Sequence, residues 1–149
     1  MRCIVAASRL HPCHLHFLAM SPEHFTPVPL DKAYRLLNHG PTVLVSARHE
    51  GEHNVMAAAW ACALDFAPPK VTVVLDKATR TRVLVEGSGL LALQLPTAGQ
   101  AAMTVALGTD SAMTMPDKLL RHQVALFEAP GFDLPLVEGC AAGLVCKLI

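Results

Sequence analysis

Two breaks that no helix crosses, Gly40-Pro41 and Pro68-Pro69, bracket the part of this chain that most limits its fold. A proline inside a helix removes a backbone donor and clashes with the preceding turn, so helices end at or before such positions. Between the breaks, Thr42-Val43-Leu44-Val45-Ser46-Ala47-Arg48 reads as a strand and Glu50-Gly51-Glu52 as the turn of a hairpin. Asn54 to about Leu64 is then the returning strand. It lies within His53-Asn54-Val55-Met56-Ala57-Ala58-Ala59-Trp60-Ala61-Cys62-Ala63-Leu64-Asp65-Phe66-Ala67-Pro68-Pro69, a run of small side chains around the only tryptophan. Alanine also favours helix, which stays the rival reading, although hairpin context and length favour strand. Small residues forfeit packing unless something large approaches the backbone, and a flat ligand lying against main-chain donors would be such an object.

The rest of the chain is punctuated in the same way. After the extended lead-in at Pro22, Pro27 and Pro29, Asp31 is placed to cap a short helix through about His39, ended by Gly40. Past the Pro68-Pro69 corner, Val71 to Asp76 has the β-branched richness of a buried strand. Thr79 is placed to cap a helix to about Glu86, with Gly87 and Gly89 at its end. Leu90 to Leu95 reads as a strand stopped by Pro96, and Ala98 to Leu107 as a helix ending at Gly108. A short helical turn is expected near Pro116 to Leu120, and late strands near Val124 to Phe127 and Gly143 to Ile149. Hairpins and short helices without regular βαβ alternation predict a mainly β fold, a closed or half-open barrel rather than a doubly wound sheet.

Composition narrows the classes of function. At 149 residues the chain is one domain's length and can bury a real core. Apolar residues make up 52% and charged residues only 16%, so some apolar surface is expected to be covered by a partner, most simply a second copy. Twelve basic residues balance twelve acidic ones with no block of either sign, which leaves no electrostatic footprint for nucleic acid or an anionic membrane. Nothing approaches the roughly 18 consecutive apolar residues of a membrane span. The five cysteines, Cys3, Cys13, Cys62, Cys140 and Cys146, lack CxxC spacing and read as free thiols in a reducing cytoplasm.

His11-Pro12-Cys13-His14-Leu15-His16 is a dense set of metal-ligand types, and in an extended segment His14 and His16 could converge on one ion. The segment has no periodicity, and Met20 opens a stretch that reads as a normal beginning. Residues 1–19 are therefore expected as a disordered or extraneous leader, residues 20–149 as the domain, and no metal site is assigned.

No G-x-G-x-x-G, P-loop, H-E-x-x-H or G-x-S-x-G occurs, which removes the usual support for Rossmann, kinase-like, zincin and hydrolase chemistry. Ser46, Ser88 and Ser111 have no context of an activated nucleophile, and Cys62 lacks a recognisable base. The positive signal is Asp76-Lys77-Ala78-Thr79-Arg80-Thr81-Arg82. Hydroxyls and cations at the start of a helix, with its free N–H groups, are the set that holds a phosphate. Taken alone, Lys77, Arg80 and Arg82 read first as a solvated helix face. Coupled to the small-residue strand, they point to a flat ring carrying a phosphate.

Here the chain resembles the flavin reductase-like proteins of the FMN-binding split-barrel fold, over about Phe25 to Ile149. Asn54-Val55-Met56-Ala57-Ala58-Ala59-Trp60 is similar to that family's Asn-x-Met-Thr-Ala-Ser-Trp strand. Asp65-Phe66-Ala67-Pro68-Pro69 resembles its Ser-x-x-Pro-Pro corner, and Leu93-Gln94-Leu95-Pro96 its Asn-Leu-Pro strand end. Leu136-Val137-Glu138-Gly139-Cys140 and Leu144-Val145-Cys146-Lys147 resemble the strand leading into its C-terminal half.

The resemblance implies a homodimer with FMN at or near the subunit interface, and hydride transfer from NADH or NADPH to flavin. An oxygenase or another flavin or electron acceptor would be the onward partner. By position, Asn54, Ala57, Ala58 and Ala59 would line the ring system and ribityl chain, and Lys77, Thr79, Arg80 and Thr81 would address the phosphate. Trp60 would flank the flavin or fill the core or dimer seam. No protein acid, base or nucleophile is required, so no catalytic residue is assigned. Ala57 and Ala59 stand where family members often carry hydroxyls, and Gln94 stands for the common Asn. Family members usually continue with further strands that close the barrel, so a split barrel short of its C-terminal strands is expected. Two other functions stay open: a non-catalytic FMN-binding electron carrier, and a truncated cofactor-free dimerisation domain.

Overall fold

A computed structural model of the chain describes residues 3–8 and 25–149. Its frame is a six-stranded antiparallel sheet in the order β2-β1-β10-β7-β3-β4, formed by β1 (Cys3–Ser8), β2 (Phe25–Pro27), β3 (Val43–His49), β4 (Glu52–Ala58), β7 (Leu90–Leu95) and β10 (Ala142–Lys147). Two hairpins stand apart from it: β5 (Ala61–Phe66) with β6 (Pro69–Val73), and β8 (Leu126–Glu128) with β9 (Pro135–Val137). The fold is mainly β with short helices, as the punctuation predicts, and among the described residues the sheets do not join into a closed barrel.

The β3–β4 hairpin forms as the sequence indicates. Its two-residue turn places Glu50 at φ 51° and Gly51 at φ 81°, the left-handed pair that matches the twist of hairpin strands. The central strands read as nearly continuous apolar runs because both sheet faces are covered. Val43, Val45 and Ala47 point to one face with Leu91, Leu93, Leu95 and Leu144. There they meet Leu84 and Val85 of α1 (Arg80–Ser88), and Ala61 and Val71 of the β5–β6 hairpin. Leu44 and Val55 point the other way, against Leu107 of α2 (Ala101–Thr109) and Val137 of β9. A further apolar group, Ala92, Leu134 and Leu136, seats the β8–β9 hairpin on that second face.

Several expectations are corrected. The Asp31-capped helix through His39 is a 3-10 helix over Leu30–Leu36 that starts from Pro29, so Asp31 lies inside its first turn rather than at its cap. The returning strand does not run through to Leu64. It stops at Ala58, and the chain turns at Ala59-Trp60 into β5, leaving the large sheet for the smaller hairpin. Trp60 O closes this corner by accepting from Val74 N at 2.9 Å.

The helix expected to end at Gly108 runs through it to Thr109; glycine here serves the close approach of α2 to β4 rather than a helix end, since a Cβ there would sit 3.2 Å from the Ala57 Cβ. Strand β9 has no counterpart in the residue pattern, and only the family resemblance at Leu136-Val137 touches it. Of the expected leader, Cys3–Ser8 pairs antiparallel with β10 as β1, while the His11–His16 motif lies outside the described residues.

Candidate functional site

Strand β4 is an outer strand of the large sheet, and a helix lies against each of its faces. The N-terminus of α1 and the C-terminus of α2 come together beside the start of β4. They enclose a cleft of about 100 Å³ lined by Asn54, Met56, Thr79, Arg80, Thr81, Leu107, Gly108, Thr109, Asp110, Ser111, Ala112 and Lys118.

One wall is built on a buried hydrogen bond. Asn54 Nδ2 donates to Thr81 Oγ1 at 2.9 Å, tying β4 to the first turn of α1, and both residues are buried. Thr79 occupies the helix N-cap but makes no capping bond. Its hydroxyl donates instead to Asp76 O at 2.7 Å, inside the preceding turn. The α1 first-turn N–H groups thus lack the side-chain acceptor that usually satisfies them. Arg80 turns to Glu52, with Nε donating to Oε1 at 2.6 Å and a second bond from Nη2 to Oε2. This pairing holds the Glu52 carboxyl below its ordinary range.

The opposite wall is the end of α2 and α3 (Lys118–Arg121). Lys118 is only 1% exposed, and its Nζ donates to Leu107 O at 3.2 Å and Asp110 O at 2.9 Å. A cation there suits the negative end of the α2 dipole and satisfies carbonyls that the helix leaves open. Burial holds the ammonium below the ordinary lysine value, with the Asp110 carboxylate acting in the other direction. Asp110 itself faces His122, Oδ2 to Nε2 at 2.6 Å.

Of the nine residues assigned from sequence, the cleft brings together Asn54, Thr79, Arg80 and Thr81. Lys77 and Ala57 to Trp60 are not in its wall. The alanines have packing reasons for being small: Ala57 faces α2 and Ala58 is part of the core on the other face. Trp60 is 74% exposed. Lys118 and the 107–112 wall escaped the sequence reading. A lysine between Asp117 and Leu119 looks like an ordinary surface residue, and only the apolar Leu119-Leu120 beside it hinted otherwise.

Of the cysteines whose side chains are described, none lines the cleft. Burial pushes the Cys140 thiol up to about 12, Cys146 is buried, and Cys62 is exposed on β5. Among the described residues no three metal-ligating side chains gather, and no helix is long and apolar enough to cross a membrane.

A flavin reductase-like domain model matches residues 35–149. The chain belongs to the flavin reductase-like family. It is 41% identical over 130 residues to the Escherichia coli protein YddH, covering 85% of this chain and 68% of that one. Among solved structures it is similar to an FMN-binding domain of a flavin reductases-like enzyme from Shewanella baltica, at 61% identity and TM-score 0.80, covering 82% of this chain and 64% of that chain. A flavoredoxin of Desulfovibrio vulgaris, at 22% identity and TM-score 0.61 over 74% of this chain and 67% of that one, shares the fold. The chain thus spans about two thirds of these relatives.

Proposed function

We propose that this domain binds FMN and acts as an NAD(P)H:flavin oxidoreductase, as a cytoplasmic homodimer. The observation that carries this reading is the uncapped start of α1 joined to a buried Asn54–Thr81 pair, in a chain 61% identical to an FMN-binding domain. Uncapped helix N–H groups and nearby hydroxyls favour a phosphate. The cleft, at about 100 Å³, is a fraction of the roughly 300 Å³ or more that encloses a drug-sized ligand. It fits the phosphate end of FMN, and the ring would lie beyond it along β4, towards Ala57 to Trp60.

A second copy supplies the missing cover. Trp60, Leu64 and Val74 leave an exposed apolar surface on and beside the β5–β6 hairpin, close to where the ring would emerge. Bound flavin supplies the hydride-accepting chemistry. The chain's own part is to hold the phosphate at α1, fix the orientation of the ring against the β4 backbone, and exclude water once the second copy closes over it. The natural acceptor of the reduced flavin would be an oxygenase or another electron-accepting protein.

The test is spectroscopic. The purified chain is expected to bind FMN with a perturbed flavin absorbance band, and NADH or NADPH added anaerobically is expected to bleach that band. Failure to bind FMN defeats the reading. Binding without bleaching, and without faster NAD(P)H oxidation in excess FMN, would make the domain an electron carrier instead.

A further inference from the structure

The cleft has three groups that carry full charge, and two of them face carboxylate or imidazole partners. Arg80 is engaged by both oxygens of Glu52, and Asp110 faces His122. Lys118 differs: among the described residues its hydrogen bonds go to the uncharged carbonyls of Leu107 and Asp110, and the nearby Asp110 carboxylate is itself taken up by His122. An ammonium has three donors, so two bonds leave one N–H unassigned on a group that lines the cleft wall. A buried lysine is a costly residue unless its charge is answered. Across the cleft stands the start of α1 with its cap unmade and the Asn54–Thr81 pair behind it. A helix N-terminus and a buried cation on facing walls share one demand, an anion with several acceptor oxygens.

We propose that Lys118 is a specificity-determining residue that makes this cleft select a phosphate monoester, discriminating FMN from unphosphorylated riboflavin. The proposal rests on the flavin reading above for the identity of the ligand, but not for the presence of an anion. Lys118 acts as the buried charge opposite α1 and also fixes the wall that carries it, by tying Leu107 and Asp110 at the end of α2. Arg80, shared with Glu52, contributes less. Charge-assisted hydrogen bonds from a desolvated ammonium are among the strong ones, so removing this one costs affinity only for ligands that bear the phosphate.

The experiment compares FMN and riboflavin binding, by quenching of flavin fluorescence, in the full chain and in Lys118→Met and Lys118→Gln. Methionine keeps the apolar stem, and glutamine keeps donors for the two carbonyls without the charge. The expected result is an FMN dissociation constant raised by about ten- to a hundredfold in both variants, with riboflavin binding unchanged. Unchanged FMN binding, or parallel loss of FMN and riboflavin, overturns the proposal while leaving the flavin reading intact. In the unsubstituted chain labelled with carbon-13 at lysine Cε, FMN and inorganic phosphate are each expected to shift the Lys118 resonance and riboflavin is not. This measurement decides the matter alone if the variants melt. A chain that binds neither flavin but shows the phosphate-dependent shift would keep the anion role and defeat the flavin reading.

Discussion

The two ends of strand β4 were candidates for one ligand site, and they are opposites. At its start, Asn54 is buried, hydrogen-bonded to Thr81 and enclosed between two helix ends. At its far end, Ala58 gives way to an exposed corner where Trp60 projects with 74% of its surface open. The first end has specific polar geometry within one copy of the chain. The second has apolar area and, among the described residues, no polar partner for the Trp60 side chain. A phosphate needs the first kind of place, and a flat ring or a second subunit suits the other.

The largest expected effect breaks this comparison at its exposed end. Trp60→Ala removes a large apolar side chain that the single copy barely packs, so its own unfolding free energy is expected to change by less than about 0.5 kcal/mol. If the corner is buried in the proposed dimer, Trp60 is an anchor, and truncation is expected to raise the dimer dissociation constant by about thirtyfold or more in equilibrium sedimentation. Equal dissociation constants would move the subunit interface away from this end of β4.

In the middle of the strand, Ala57→Leu tests whether the small residues serve packing. Gly108 of α2 already lies against Ala57, so a larger side chain must push α2 away from β4. Overpacking of this kind costs about 1 to 3 kcal/mol, measurable by urea denaturation, and it should loosen the cleft wall that α2 carries. At the buried end, Asn54→Ala removes the donor to Thr81 and is expected to cost about 1 to 2 kcal/mol while weakening FMN binding. Stability falling with binding unchanged would limit the Asn54–Thr81 pair to holding α1 on the sheet.

This contrast also marks what was legible in the sequence. The hairpin, the end of α1 and strand β7 follow from local signals: the positive-φ pair Glu50-Gly51, Gly89 at φ 70°, and an apolar run stopped by Pro96. The alanines drew attention for the right reason, close approach of something large, but for Ala57 the neighbour in the structure is α2. Gln94 looked like a departure from the family pattern and is the centre of a buried network. Its Nε2 donates to Ser46 Oγ at 3.2 Å, its Oε1 accepts from Val137 N at 2.6 Å, and Ser46 donates to Pro135 O at 2.6 Å. That role depends on β9, whose three residues are too short a run for the residue pattern to place beside Gln94. Lys118 was invisible for a related reason: its partners lie at the end of another helix, and burial of a lysine follows from tertiary packing alone.

The smallest effect sharpens the buried end by separating its two cations. The Glu52 carboxyl is held below the ordinary value of 4.5 by its hydrogen bonds to Arg80. A carboxyl with a lowered value in the fold binds fewer protons there than in the unfolded chain across the interval between the two values. Its contribution is therefore fully present above 4.5 and is lost as the pH falls through the lower folded value. The pair is about half exposed and screened by salt, which keeps the effect small. Urea midpoints across roughly pH 3 to 5 are expected to fall less steeply in Glu52→Gln than in the parent chain. The same variant releases Arg80, and if Lys118 is the dominant cation of the cleft, FMN affinity at neutral pH changes little. A large gain in FMN affinity would instead show that Glu52 had been holding back the stronger of the two.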